Sequence, residues 1–264
     1  MSREEFLAAL RPGTAGAVNW SAELEELHDD ATRDHWIDVR TRGALVDAVA
    51  TAVHPGAVIV DLGCGSGHLL DDLRARFPQA FLVGIDAVPE GLAKARRRVP
   101  GAELILADVT TLPLGDATVD VAVSANLLEH VEDDGRALAE LARILRPGGR
   151  AALVVPAGPG LVDYYDQALG HVRRYARGEL AGKARAQGLR VAADHGLGSL
   201  PFPAFWLVKK AHRLGARHAD GARVGRDIER TRRSRAGSWA CRLEQRAGLR
   251  LPFGIRYLTV VVKP

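Results

Sequence analysis

Five short apolar runs alternate with amphipathic stretches through the middle of the chain, and that alternation limits the folds open to it. The runs are "AVIVDLG" (57–63), "AFLVGID" (80–86), "AELILAD" (102–108), "VDVAVSA" (119–125) and "RAALVVP" (150–156), each bounded by turn residues. Short apolar runs of this kind read as strands buried on both faces, as in a parallel sheet. Between them, "HLLDDLRARF" (68–77), "EGLAKARRRV" (90–99) and "GRALAELARIL" (135–145) show helical spacing, the last ending at Pro147-Gly148-Gly149. This order predicts an α/β fold with a doubly wound sheet. A sixth strand is expected at 190–195 and a seventh at "IRYLTVVVK" (255–263).

Three segments stand outside the alternation. Residues 1–53 precede the first strand and read as a largely helical segment, expected as a lid. The core is expected over 54–199, with residues 157–178 forming a loop after the fifth strand. Residues 200–253 read as a helical insertion before a final core strand at 254–264. A chain of 264 residues is long enough for one sizeable core with such additions. Hydrophobic content of 47% and charged content of 26% are those of a soluble globular protein, and no apolar run approaches bilayer length. The acidic residues near the start do not suit a signal peptide. Cys64 and Cys241 are too few for a disulfide framework or a cysteine-based zinc site, so a cytoplasmic setting is expected. Net charge is +4, concentrated between Lys209 and Arg250. That tract is either a polyanion-binding surface or a solvated arginine-rich one, the second being preferred.

The sharpest local signal is "VIVDLGCGSGHLL" (58–70). A strand ends at Asp61, a turn carries Gly63, Gly65 and Gly67, and a helix follows. Glycines there let the backbone turn tightly and approach a ligand at the strand's carboxyl end. A dinucleotide fingerprint would need a small residue where His68 stands, and does not include an acid two positions before the first glycine.

The D-x-G-x-G-x-G spacing resembles motif I of the class I S-adenosylmethionine-dependent methyltransferases. The resemblance continues with Asp86 ending the second strand, "LADVTTLPL" (106–114), "NLLEHVED" (126–133) and "LRPGG" (145–149). It implies a Rossmann-like seven-stranded sheet binding S-adenosylmethionine and releasing S-adenosylhomocysteine. On that basis Asp61 sits near the methionine amino group, Asp86 accepts the ribose hydroxyls and Asp108 the adenine amine. Gly63, Cys64, Gly65 and Asn126 belong to the cofactor site, and Ala87 and Val109 pack on the adenine faces. Asp61 has the alternative of merely holding the turn, and Cys64 of being a small buried residue.

"GHVRRYARGEL" (170–180) places one His, three Arg and one Tyr in seven positions where the acceptor side of such an enzyme lies. It resembles a G-H-x-R-R-Y run in a subset of bacterial small-molecule and glycan methyltransferases, as do "HWIDVRTR" (35–42) and the ending "LPFGIRYLTVVVKP" (251–264). Trp36 and Arg40 are expected on a helix that closes over the cofactor. His171 is the candidate base, with a structural histidine as the alternative. Arg173 and Arg174 are candidates to grip an anionic or polyol acceptor, at most one of them facing it and the other pinning the loop to a carboxylate such as Asp163 or Asp166. Tyr164, Tyr165 and Tyr175 are expected around the acceptor or packing the lid, and His130 beside the acceptor, closing the cofactor pocket or packing at the helix start. The Glu129-His130 pair resembles one in quinone-pathway O-methyltransferases, some of which bind a divalent metal. The ligand set is incomplete in the sequence, and no metal is assigned.

The expected function is therefore methylation of a small metabolite, natural product or glycoside, at oxygen, in bacterial secondary metabolism. Nucleic acid is not the expected partner: Asn126-Leu127-Leu128-Glu129 replaces the N-P-P-Y-like tetrad of base-amine methyltransferases, which argues against methylation of base amines though not of other RNA positions. A homodimer is open, with "LPFPAFWLVKKAHRLG" (200–215) as a contact. The alternatives are an RNA or protein methyltransferase using the 209–250 tract, and a cofactor-holding helper or cyclase that transfers no methyl group.

Overall fold

Seven strands form one sheet in the computed structural model of the chain, which describes residues 3–8, 10, 33–215, 231, 232 and 234–264. They are β1 (Val58–Leu62), β2 (Phe81–Asp86), β3 (Glu103–Leu106), β4 (Val119–Ala125), β5 (Leu145–Pro156), β6 (Arg190–Leu197) and β7 (Arg256–Val262). Their order is β3-β2-β1-β4-β5-β7-β6. The first five run parallel, and β7 is inserted antiparallel between β5 and β6. The doubly wound seven-stranded fold expected from the sequence is thus present.

Alternate residues of β1 enter opposite layers, as the pleat requires. Val58, Val60 and Leu62 join Leu138 and Leu141 of α5 (Asp134–Ile144) and Leu180 of α7 (Glu179–Ala186). Ile59 faces the other way, to Leu45 and Val49 of α2 (Trp36–Val49), Leu70 and Leu73 of α3 (His68–Arg76) and Leu92 of α4 (Pro89–Arg98). Burying such a side chain contributes about 1.5–3 kcal/mol, so both helical layers are held by the sheet's apolar runs.

One boundary differs from expectation. β5 begins at Leu145, taking in Pro147-Gly148-Gly149, which the pattern assigns to a helix-ending turn. Gly148 N donates to Lys263 O and Lys263 N donates to Gly149 O, both at 2.9 Å, so the turn is drawn into the sheet by the chain beyond β7. The register with β4 slips between Val119 and Val121 to accommodate it.

The N-terminal segment is described only in part, residues 11–32 lying outside the described set. Its first helix, α1 (Arg3–Ala8), buries Phe6 edge-on to Phe81 with ring centroids 5.4 Å apart. α2 packs on β4 and β5. After a short helix α6 (Tyr164–Ala168), the 200–253 stretch holds α8 (Phe202–Gly215) and α9 (Arg235–Arg246), with residues 216–230 and 233 outside the described set. Both helices of this stretch are tied back to the core. Glu244 of α9, fully buried, accepts from the amides of Gly198, Ser199 and Leu200 at 2.6–3.1 Å. Lys209 of α8 is buried between two aspartates, so it forms no part of a free basic face. No helix among the described residues is long and apolar enough to cross a membrane.

Candidate functional site

The strand order reverses between β1 and β4, and a crevice opens at the carboxyl ends of the strands at such a point. A cavity of ≈ 390 Å³ occupies it. Asp61, Gly63, Cys64, Gly65, Asp86, Ala87, Asp108, Val109, Asn126 and His130 all contribute to its wall. The loop after β1 fits there because of its glycines. Gly63 has φ +73°, and a Cβ on it would meet Leu127 Cδ1 at 2.9 Å. Gly67 has φ +83°, and a Cβ there would press on Ala95 at 2.9 Å. Only glycine adopts both the left-handed backbone and the close packing without strain. Asn126 takes the left-handed region too, at φ 53°, a conformation asparagine tolerates better than most residues.

The three acids are held differently. Asp86 Oδ2 accepts from Gly65 N at 2.7 Å and Oδ1 from Val88 N at 2.9 Å, which fixes its carboxylate across the mouth of the glycine loop. Burial pushes its carboxyl above the usual range, and these amide bonds offset part of that. Asp108 Oδ1 accepts from the amide and hydroxyl of Thr110, both at 2.8 Å. Asp61 is 1% exposed, and its Oδ2 has no hydrogen-bond partner. Burial, with the charge of Asp86 beside it, pushes its carboxyl up to about 8. A buried carboxylate oxygen lacking a donor is an acceptor waiting for a cationic or hydrogen-bonding ligand.

Helix α2 reaches the cavity by a different face from the one expected. Asp38, Thr41 and Arg42 line the wall. Trp36 and Arg40 do not. Trp36 packs against Gly237 of α9 and donates its indole N–H to Thr231 O at 3.0 Å. Residues 38, 41 and 42 share one helical face, and residues 36 and 40 another. Asp38 and Thr41 are buried polar residues of α2, and Arg256 of β7 donates to them at 2.6 and 2.7 Å, which helps set the face that meets the cavity.

The loop after β5 also departs from expectation. Arg174 is 7% exposed; its Nε donates to Asp166 Oδ1 at 2.7 Å and its Nη1 to Ala157 O at 3.1 Å. Arg173 donates to Glu132 O at 2.7 Å and pairs with Asp134 at 3.1 Å. Both guanidiniums are engaged in holding the loop and neither joins the cavity wall; Arg174 takes the role, left open by the sequence, of pinning the loop to Asp166. Tyr175 is fully buried and donates its hydroxyl to Asp134 Oδ2 at 2.7 Å, and Tyr164 is buried as well, so neither lines the cavity. Tyr165 is off the wall too, with Lys209 Nζ 5.2 Å from its ring centroid.

His171 lies behind His130, their rings edge-on with centroids 4.8 Å apart. Its Nδ1 is 2.8 Å from Asp166 Oδ1, which leaves the other ring nitrogen for chemistry. Asp166 is itself gripped by Arg174, by Lys209 Nζ at 3.0 Å and by the amide of Asp163 at 3.0 Å. Burial raises its carboxyl, but the His171 bond and the charges of Arg174 and Lys209 outweigh that and hold it well below the usual range. Glu129 completes the cluster; it is 1% exposed, and neither carboxylate oxygen has a hydrogen-bond partner.

Residues 60–153 match the family model described as "Methyltransferase domain". The chain is 34% identical over 165 residues to a trans-aconitate 2-methyltransferase of Azoarcus sp. (strain BH72), covering 62% of each chain. It is 34% identical over 179 residues to a malonyl-acyl-carrier-protein O-methyltransferase of Methylococcus capsulatus, covering 62% of this chain and 64% of that one. The chain spans less than two thirds of the length of these curated relatives. A chain of the solved complex containing the Haloferax volcanii Trm112 methyltransferase activator superposes with a TM-score of 0.60 at 24% identity. It covers 92% of this chain and 93% of that one, a likeness of fold.

Proposed function

We propose that the chain, whose residues 60–153 match a methyltransferase-domain model and whose sheet has the class I methyltransferase fold, transfers a methyl group from S-adenosylmethionine to a hydroxyl of a small molecule. One observation carries this reading: Asp61, Asp86 and Asp108, each at the carboxyl end of one of three adjacent strands, converge on a single cavity. The cavity suits the cofactor. The partnerless Oδ2 of Asp61 would hold the methionine ammonium, the fixed carboxylate of Asp86 the ribose hydroxyls and Asp108 the adenine amine, with Ala87 and Val109 as the apolar wall beside it.

When bound, S-adenosylmethionine supplies a methyl group already activated on a sulfonium, so the protein's task is alignment and exclusion of water. An acceptor hydroxyl forms its O–CH3 bond as the S–CH3 bond breaks, and its proton must leave. His130 on the wall, with His171 and Glu129 behind it, is the group beside the cavity able to receive that proton. Asp166 orients His171 for this by taking its Nδ1–H.

The relatives named above act, by their names, on trans-aconitate and on a malonyl group. A hydroxyl acceptor is preferred here because Arg173 and Arg174 are engaged with Asp134 and Asp166 and do not grip an anion. Incubating the purified protein with isotopically methyl-labelled S-adenosylmethionine and fractionated bacterial extract tests the proposal. Label in small hydroxylated metabolites supports it. Label confined to RNA or protein redirects it to those substrates, and cofactor binding without labelling of any fraction favours a helper or cyclase.

A further inference from the structure

We propose that Glu129, His130 and His171 form a binding site for one divalent transition-metal cation at the edge of the cavity. Each residue offers a ligand atom, and these atoms lie within 4.8 Å of one another. Glu129 and His130 come from the short 3-10 turn Leu128–His130 after β4, and His171 from the loop after β5. The backbone joins them: Val172 N donates to Glu129 O at 2.8 Å, which locks the second loop onto the first.

Glu129 argues for an ion most directly. Its carboxylate is 1% exposed and meets no hydrogen-bond donor at either oxygen. A buried carboxyl with no donor either keeps its proton or, when ionised, is paired or coordinates a metal, because an uncompensated buried charge costs several kcal/mol. The charges facing it are those of His171, Arg174 and Arg256, and none of them donates to it. A cation between the three ligands supplies the missing partner.

His171 is independently arranged as a ligand. Its Nδ1 is bonded to a carboxylate that is in turn held by Arg174 and Lys209. Metal-bound histidines commonly give their other ring N–H to a carboxylate in this way, which fixes both tautomer and ring orientation. Two imidazoles and one carboxylate suit zinc, iron, cobalt or manganese better than calcium or magnesium, which prefer oxygen ligands. Bonds of about 2.1 Å in tetrahedral geometry put ligand atoms ~3.4 Å apart, so the three side chains close by roughly an ångström on binding. Three protein ligands leave a position open, and His130 carries the site to the cavity wall. With the cation bound, Glu129, His130 and His171 are ligands and not bases: the cation polarises an acceptor oxygen at the open position and lowers its hydroxyl pKa, so that the proton leaves to solvent; this role, though not the site itself, rests on the function proposed above.

The test uses the full chain without a histidine tag, stripped with EDTA and titrated with Co2+. Visible absorption and calorimetry read the binding, and S-adenosylmethionine affinity is measured in parallel. One Co2+ per chain is expected, with affinity at least about tenfold lower in Glu129→Gln and in His171→Asn. S-adenosylmethionine affinity is expected unchanged in both variants. Equal Co2+ affinity in the natural chain and both variants overturns the site, as does no Co2+ binding by a chain that binds S-adenosylmethionine normally. Co2+ binding sensitive to both substitutions without S-adenosylmethionine binding upholds the site and removes the proposed function.

Discussion

His171 Nδ1 stands 2.8 Å from Asp166 Oδ1, and that same oxygen accepts from Arg174 Nε at 2.7 Å while Oδ2 receives Lys209 Nζ. One buried aspartate therefore joins the acceptor-side histidine to its own loop and to helix α8 of the insertion. Asp166 is a positioning residue, because it acts through His171.

Replacing it tests that role. Asp166→Asn is expected to lower turnover about ten- to a hundredfold with the cofactor's Kd unchanged. In 15N NMR spectra, the His171 signals are expected to lose the signature of a single fixed tautomer. Wild-type turnover with an unaltered His171 spectrum counts against the assignment. His171→Ala is expected to give the same split between turnover and cofactor affinity.

Asp86 is where the cofactor reading is most exposed to failure. Two hydrogen bonds to a charged group contribute about 1.5–3 kcal/mol each, so Asp86→Ala is expected to weaken S-adenosylmethionine binding by more than about a hundredfold. Calorimetry at constant pH is the measurement, and unchanged affinity would remove the cofactor assignment.

Asp61 predicts a proton count. Its folded pKa is about 8, above the ordinary 3.8, so at pH 7 the ligand-free carboxyl is mostly protonated. A cationic amino group against it favours the ionised form and drives the proton off. Calorimetry at pH 7 in buffers of different ionisation enthalpy is expected to show a large part of one proton released per cofactor bound. Asp61→Asn is expected to abolish the release. For stability the sign is opposite to that of a salt-bridged acid. The raised pKa makes Asp61 least costly to the ligand-free fold below about 3.8, and the cost grows as pH rises through 8.

Lys209 is 6% exposed at its side chain and bonded to Asp163 and Asp166. Burial and the neighbouring Arg174 lower its pKa, while the two aspartates oppose them. Removing one partner of a buried network leaves uncompensated charge, at a cost of about 3–5 kcal/mol. Lys209→Met is expected to destabilise the protein by that amount in urea unfolding and to lower turnover with it. Lys210→Met, at the next position, serves as the comparison and is expected to change stability by less than about 1 kcal/mol.

The sheet and the glycine-loop side of the cavity were legible in the chain because their information is local. Strands buried on both faces need short unbroken apolar runs, and a loop that curls beneath a ligand needs glycines at fixed intervals, so 57–156 states its own structure. Asp61, Asp86 and Asp108 follow from their places at strand ends. The acceptor side is otherwise. One arginine of "GHVRRYAR" pinned to a nearby aspartate was legible, yet that it is Arg174 on Asp166, and that Arg173 turns to Asp134, only the packed loop decides. Which face of α2 meets the cavity was set by its packing on α9, far along the chain. The Glu129-His130 pair was visible, but its third member arrives from beyond β5. Charges and ligands are satisfied through space, and sequence distance carries no record of it. Here the sequence alone determined the sheet, the glycine loop and the acids at its edge; the tertiary structure decided which arginines were spent and which histidine joined Glu129.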